Sequence, residues 1–547
     1  MVCVIVFGVV SLTAAQQVPE PVIRIGDWVE IAPEAFMNII ATGDLRLFTS
    51  KNYDFEDKIQ DRAASRDPYS TLLQNQEFDG FRYLADFGAD FRWGKNLRFQ
   101  IIFRHEAIVD GNLADAQSSA GVGPGGTDIF GNPAVSESEV TNLERLWIDY
   151  QFPGTPLSIR VGFDLWFTDQ AGLLGDDDPR FAVFFKQGDL DASVAAVLQS
   201  TSARIGLTND NDFVYYTFGV GYSLKPHRVQ LDVAYFRERF QGAGGGTGGV
   251  KVGFVGQETD SWLIMPSFSG TLGPVSFLVQ PNLLLGTSEG GLDAARGVAA
   301  GRNFDIFAWA VVAYAEINLG IVRPFIGLVY GSGDDDPNDN DLQGFTTLPQ
   351  REITLMTGTA RFAHLDKSIA FSSRDVVTPA RAHLATPTPG LPAGSNPLTP
   401  AQRAVFGGQE FSHTVGNPFN DRLGNALHPG INSTYSNPGT FLPFAGLRIF
   451  PIKGHEFNVI YLYRSMADSA LIETALGRSV KESLYHELMG QWFWVISPHF
   501  DIRLTGNVML PGEGAKDIAE AVFCRVGVRC KGEDPALSAE LRFRARF

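Results

Sequence analysis

Cysteine is nearly absent from this sequence. Three cysteines in 547 residues, one of them at position 3 inside an apolar leader, exclude a disulfide scaffold and a cysteine metal cluster. Charge is also sparse: 19% of residues are Asp, Glu, Lys or Arg, against roughly 25% in an average soluble domain. Cations are the minority, 44 Lys+Arg against 61 Asp+Glu, for a formal charge of −17 and a pI near 5.0. That balance removes nucleic acid as a default partner. Past the leader no run of about 18 apolar residues occurs, so no transmembrane helix is expected. There is no haem-attachment motif, nucleophile elbow or zinc-protease helix. His364, His383, His413 and His428 share one loop but not a metal-ligand spacing. An enzyme is therefore not expected. No fixed sequence period is present either, which excludes a solenoid.

The chain is rich in glycine and phenylalanine, with 58 Gly and 42 Phe. Residues 1–15 read as a secretory signal: Val2 to Val10 form an apolar stretch, and Thr13-Ala14-Ala15 is a small-residue cleavage site. The leader lacks Lys and Arg, and a buried N-terminal strand is the other reading of it. Residues 16–34 are expected to be a short periplasmic segment, and 35–547 an outer-membrane β-barrel.

The barrel expectation rests on a period of two. Phe81, Tyr83, Ala85, Phe87, Ala89 and Phe91 alternate with Arg82, Leu84, Asp86, Gly88, Asp90 and Arg92. Leu97, Phe99, Ile101 and Phe103 alternate with Arg98, Gln100, Ile102 and Arg104. Successive side chains of a strand point to opposite faces, so each segment has an apolar face and a wet one. Eighteen such segments are read, at about 35–48, 80–92, 96–109, 143–152, 157–167, 180–188, 189–200, 212–224, 227–240, 258–271, 274–286, 303–319, 321–331, 439–450, 455–466, 483–497, 499–510 and 538–547. Most have about the length that crosses a bilayer core as a tilted strand. Very short connections alternate with nine longer ones, of which 332–438 is the longest. Strict short–long alternation predicts an all-β, antiparallel, up-and-down transmembrane barrel. A lipid-exposed sheet must close, because no water satisfies an open edge in the bilayer. The chain ends on Phe547, which resembles the assembly signal of bacterial outer-membrane proteins and makes the barrel-assembly machinery an expected partner, alongside outer-membrane lipid.

Outward positions are apolar, with Trp93, Tyr150, Tyr222 and Trp492 near strand ends as interfacial anchors. Inward cations are almost all Arg: Arg82, Arg92, Arg98, Arg104, Arg145, Arg160, Arg228, Arg323, Arg448, Arg464, Arg503, Arg542, Arg544 and Arg546, with Lys186 the mid-strand exception. Inward acids include Asp86, Asp90, Glu106, Asp149, Asp164, Asp191, Asp232, Glu316, Glu456, Glu487, Asp501 and Glu540. Guanidinium pairs bidentately with carboxylate, so most of these residues are expected in wall-lining ion pairs. The seam where the last two strands meet the first five carries most of the Arg, giving one charged wall opposite a less charged one. Eighteen strands leave an aqueous channel. The expected function is passive passage of small or polymeric hydrophilic solutes, anionic ones first. A barrel sheath or surface scaffold around a partner such as an electron carrier is the alternative.

On Leu143-Glu144-Arg145-Leu146-Trp147-Ile148-Asp149-Tyr150, Leu157-Ser158-Ile159-Arg160-Val161-Gly162, and the Gly331 to Asn340 stretch leading to Phe345, the chain resembles the alginate-export porins of Gram-negative outer membranes. The resemblance implies an eighteen-stranded barrel and passage of an acidic polysaccharide through a basic constriction.

Three further features are open. Asp334, Asp336, Asn338 and Asn340 offer oxygens at alternating spacing, suited either to Ca²⁺ or to a solvated acidic loop; no other cofactor is expected. Cys524 and Cys530, the pair left after cleavage, are expected to form a disulfide in an external loop. The 332–438 loop, far longer than ordinary connections, is expected to fold over the lumen and set the pore.

Overall fold

A computed structural model describes residues 27–51, 78–110, 126–127, 133–134, 140–163, 166–176, 179–199, 213–240, 257–291, 302–336, 339–345, 438–470, 473, 478–517 and 533–546. Eighteen barrel strands lie among them. They are β1 (Ala35–Lys51), β2 (Phe78–Trp93), β3 (Leu97–Asp110), β4 (Val140–Gln151), β5 (Leu157–Phe163), β6 (Pro179–Gln187), β7 (Leu190–Gln199), β8 (Phe213–Leu224) and β9 (His227–Phe240). There follow β10 (Gln257–Leu272), β11 (Val275–Gly291), β12 (Arg302–Ile317), β13 (Val322–Gly331), β14 (Thr440–Ile449), β15 (His455–Ser465), β16 (Ser483–Ser497), β17 (Phe500–Pro511) and β18 (Ala536–Arg546).

Each strand pairs antiparallel with its neighbours in sequence. The sheet closes where β18 pairs with β1, from Thr42↔Arg546 to Lys51↔Leu537. Closure leaves neither barrel edge open. The expected strand spans agree with this to within a few residues. Residues 27–34 add a feature the sequence did not suggest. The strand Trp28–Ala32 turns back and pairs with the first residues of β1, Trp28 opposite Asn38, at the short-turn end of the seam.

The two faces differ as period-two alternation requires. On β10, Thr259, Ser261, Leu263, Met265, Ser267 and Ser269 are buried inside, whereas Trp262 is 50% and Phe268 41% exposed. Leu45, Phe87, Ile148, Val161, Val194, Phe307, Leu488 and Leu504 are exposed in the same way around the circumference. Aromatic residues mark the short-turn rim: Trp93 is 67% exposed, and His455, Phe457, Trp492 and Trp494 stack with ring centroids 5.4 to 6.1 Å apart.

The interior corrects one expectation. The inward face is not uniformly wet. From β8 round to β16 it carries Tyr215, Phe236, Leu263, Met265, Leu284, Phe304, Tyr314, Phe444, Leu462 and Met489, all buried in one cluster. Side chains from connections join that cluster: Trp166, Leu173 and Leu174 between β5 and β6, and Leu342 and Phe345 after β13. Half of the barrel wall therefore has an apolar core inside the barrel. The physical reason is burial against chain that has folded inward, which a strand-by-strand reading cannot see.

Candidate functional site: the barrel lumen

The other half of the wall, β17, β18 and β1 to β5, is charged. Its residues stand on adjacent strands at matching register, so most of its guanidiniums reach a carboxylate on the same or a neighbouring strand. Asp44 on β1 accepts from Arg542 Nε on β18 at 2.9 Å and from Arg46 Nη2 at 2.9 Å. Asp501 on β17 accepts from Arg544 Nε at 2.9 Å and Arg546 Nη2 at 2.7 Å. Arg98 donates to Asp90, Arg104 to Asp86 at 2.8 Å, and Arg160 to Asp149 at 2.7 Å. Arg98 and Arg160 also lie over the Trp147 ring, 5.0 and 4.4 Å from its centroid, while Trp147 Nε1 donates to Gln100 Oε1. Most of these pairs are partly exposed, so each contributes about 0–1 kcal/mol and serves mainly to hold the wall in shape.

Two glycines make room for inward-facing groups, one beyond this wall and one within it. Arg228 on β9 reaches Asp191 on β7 across the intervening β8, at 2.8 and 2.7 Å. The crossing passes over Gly221, where a Cβ would stand 2.1 Å from Arg228 Nη2. On β5, Gly162 has φ +128°, and a Cβ there would meet Leu146 O at 2.0 Å and Trp147 Cα at 2.6 Å. Both contacts are backbone and cannot swing away. Gly162→Ala is expected to destabilise the barrel by about 1–3 kcal/mol, read as a lower midpoint in urea unfolding from vesicles. An unchanged midpoint would contradict the tight β4–β5 approach.

Opposite the charged wall, the connection between β5 and β6 runs down inside the barrel. Residues 166–176 dock on β9, β10 and β11. Gln230 Nε2 donates to Thr168 O at 2.7 Å, and Gln170 Nε2 to Ser267 Oγ at 2.9 Å. Ala171 N donates to Gln280 Oε1 at 3.0 Å, and Gln280 Nε2 to Asp169 Oδ2 at 2.8 Å. Asp169 also caps its own turn, accepting from Leu173 N at 3.0 Å and Leu174 N at 2.8 Å. Burial drives the Asp169 carboxyl above its ordinary range, and these hydrogen bonds offset part of the effect. The docking residues lie three to five positions from the short-turn ends of their strands, so the loop penetrates most of the barrel's depth. Trp166 stacks on Tyr215 with centroids 6.0 Å apart, and Arg180 lies 4.8 Å from the Trp166 ring centroid.

Among the expected lumen residues, Arg98, Arg104, Arg160, Arg542, Arg544, Asp86, Asp90, Asp149, Asp191 and Asp501 meet in the pairs above. Arg546 joins Asp501 at the exposed rim. Arg448 bridges Glu316 at 3.0 Å and Glu456 at 2.9 Å. Arg92 lies over Trp28 of the N-terminal strand, 3.8 Å from its ring centroid, and Arg503 over Phe493 at 4.2 Å. Arg145 faces the lumen opposite Ile102 and has no hydrogen-bond or ion-pair partner among the described residues. The side chain of Arg82 and residue Asp164 lie outside the described residues, as do the leader, Cys524, Cys530 and Phe547. Of the proposed cation ligands, Asp334 is fully buried, Asp336 and Asn340 are exposed, and Asn338 is outside the described residues. No group of three or more His, Cys, Asp or Glu side chains among the described residues is placed to hold a metal. In the long 332–438 connection, described residues 339–345 turn back along β12, with Asp341–Leu342 pairing parallel to Asp305 and Ile306. Residues 346–437, expected to set the pore, lie outside the described residues.

The sequence reading missed Asp44, Arg46 and Arg180. Asp44 and Arg46 alternate with Leu45 and Leu47, a signal that was present. It also missed Asp169 and Gln170, which carry no periodic signal because they lie in a turn.

No family model matches this chain, and no curated protein does. Among solved structures, the barrel is similar to a BenF-like porin from Pseudomonas fluorescens Pf-5, at 10% identity and a TM-score of 0.46 over 93% of this chain and 98% of that one. It is also similar to OccAB1 of Acinetobacter baumannii, at 8% identity and a TM-score of 0.46 over 93% and 97%. A third is OccK5 (OpdH) of Pseudomonas aeruginosa, at 10% identity and a TM-score of 0.42 over 93% and 98%. The alginate-export resemblance of the sequence has no counterpart in these three, and the strand pairing of the chain itself carries the fold.

Proposed function

We propose that this protein is a passive channel of a bacterial outer membrane that favours small hydrophilic anions. The observation that carries the reading is the opposition of faces in a closed eighteen-stranded barrel: apolar side chains exposed outside, Arg and Asp inside. Water-facing strands with exposed Leu, Phe and Val on every second position would be insoluble, whereas a bilayer covers that band. A barrel of this strand number has room for an aqueous path.

Anion preference follows from an imbalance on the charged wall. Among the described inward side chains of β17, β18 and β1 to β5 there are ten arginines: Arg46, Arg92, Arg98, Arg104, Arg145, Arg160, Arg503, Arg542, Arg544 and Arg546. They face six carboxylates, Asp44, Asp86, Asp90, Asp149, Asp501 and Glu540. A low-dielectric wall concentrates the field of the excess positive charge into the path. Arg145, with no partner among the described residues, adds its charge to that excess. The sheath reading loses ground because loop 166–176 already crosses the interior. An acidic polysaccharide is a narrower version of the same reading, for which the lumen supplies charge of the right sign.

Planar-bilayer recordings of refolded protein under a KCl gradient test this. The reversal potential is expected on the anion-selective side, and Arg145→Glu is expected to move it toward cation selectivity while leaving assembly intact. A cation-selective wild type would overturn the anion reading, and absence of conductance would overturn the channel.

A further inference from the structure

We propose that the outer wall between β8 and β11 holds a binding groove for a single alkyl chain, and that this groove shares one break in the wall with the loop docked inside. The inference rests on the membrane reading above and adds a site to it.

The break lies between β10 and β11. Their register runs Leu263↔Leu284, Ile264↔Leu283, and resumes at Phe268↔Val279. At the centre of the interval the unchanged register sets Pro266 opposite Pro281. Neither has an N–H, so both ladder hydrogen bonds of that position are lost. Proline is normally confined to sheet edges or bulges, and a bilayer penalises unpaired backbone. Two prolines face to face inside the wall are therefore not explained by sheet pairing.

Alternation gives the interval two functional faces. Outside, the two proline rings floor a groove of about 650 Å³ walled by Val220, Tyr222, Leu231, Phe268 and Val279. Its lining is apolar, and Tyr222, Phe268 and Val279 are 41–45% exposed in the lipid-facing band. The groove is thus continuous with the surface that meets the bilayer, which makes a lipid alkyl chain its occupant. Inside, the same backbone presents Ser267 and Gln280, the residues that hold Gln170, Ala171 and Asp169 of the loop. A seam without its ladder bonds is the softest part of this wall. A chain packed on both proline rings steadies it, and steadies the loop contacts one residue away on each strand.

The test uses the full chain in phosphatidylcholine vesicles containing a phospholipid with a diazirine in its acyl chain, with adducts mapped by mass spectrometry after illumination. Residues 220–222, 229–231, 266–268 and 279–281 are expected to carry several-fold more adduct than the lipid-facing positions Leu45, Leu47 and Phe87. Leu231→Trp, which fills the groove, is expected to remove that excess without altering the rest. In single-channel records the same variant is expected to change how often the channel visits its loop-released level. Even labelling around the barrel would overturn the groove and leave the membrane reading standing. Labelling everywhere except the groove would assign the face to a second copy of the chain. No labelling at all would overturn the membrane reading itself. An excess that Leu231→Trp abolishes with unchanged channel records would refute the link to the loop.

Discussion

Replacing residues 168–174 with a short Gly-Ser tether is expected to raise single-channel conductance several-fold while the barrel still assembles. The segment occupies the lumen across from the charged wall, and its removal takes away Leu173 and Leu174 from the interior cluster along with the polar contacts to β9, β10 and β11. The barrel closes through its own strand ladder, which does not involve this segment. A gentler variant tests the latch. Gln280→Ala removes the donor to Asp169 and the acceptor for Ala171 N, leaving buried polar groups unpaired at a cost of roughly 1–3 kcal/mol. Because about 1.4 kcal/mol is tenfold in an equilibrium, brief large openings are expected to be markedly more frequent than in the wild type. Conductance unchanged in the tether variant would show that the docked loop does not limit the path.

The latch also carries a sign with pH. The Asp169 carboxyl is raised above its ordinary value by burial, so the docked state binds the proton more tightly than the released state. Docking is then strongest below the ordinary carboxylate range and weakens as pH rises through the raised value. Asp232, Arg228 and Asp191 face the same site from the barrel wall, where Arg228 donates to Asp191 and Gln230 to Asp232. The loop-released level is expected to be rarest in acid, and Asp169→Asn is expected to flatten that dependence. A level that becomes more frequent on acidification would contradict the assignment.

Val161→Arg is expected to lower barrel stability by about 2–4 kcal/mol, the cost of arginine on the lipid face near mid-bilayer. Val161 is 46% exposed on the outer face of β5. Ser158→Arg, three residues earlier and on the inward face, is expected to change stability far less, because its side chain meets water in the lumen. Urea titrations of both variants in vesicles decide the matter. Equal losses at the two positions would contradict the assignment of the faces of β5.

Much of this architecture was legible in the order of residues. Alternation fixes which side chains share a face, because a strand has a period of two. Short and long connections taken in turn fix the up-and-down order, and an even strand number lets the last strand meet the first. The Arg98, Arg104, Arg160, Arg542 and Arg544 ladder could be read for the same reason: inward positions on adjacent strands must be neighbours. Tertiary structure alone decided three things. It brought Asp169 and Gln170, which have no periodic signature, onto Ser267 and Gln280 about a hundred residues away. It made an apolar core of inward Leu263, Met265 and Phe304, whose burial depends on what folds against them. It also set Pro266 opposite Pro281, since only register brings two prolines on separate strands together into one gap. Periodic local chemistry determines faces, whereas register and the path of loops are long-range choices set by packing.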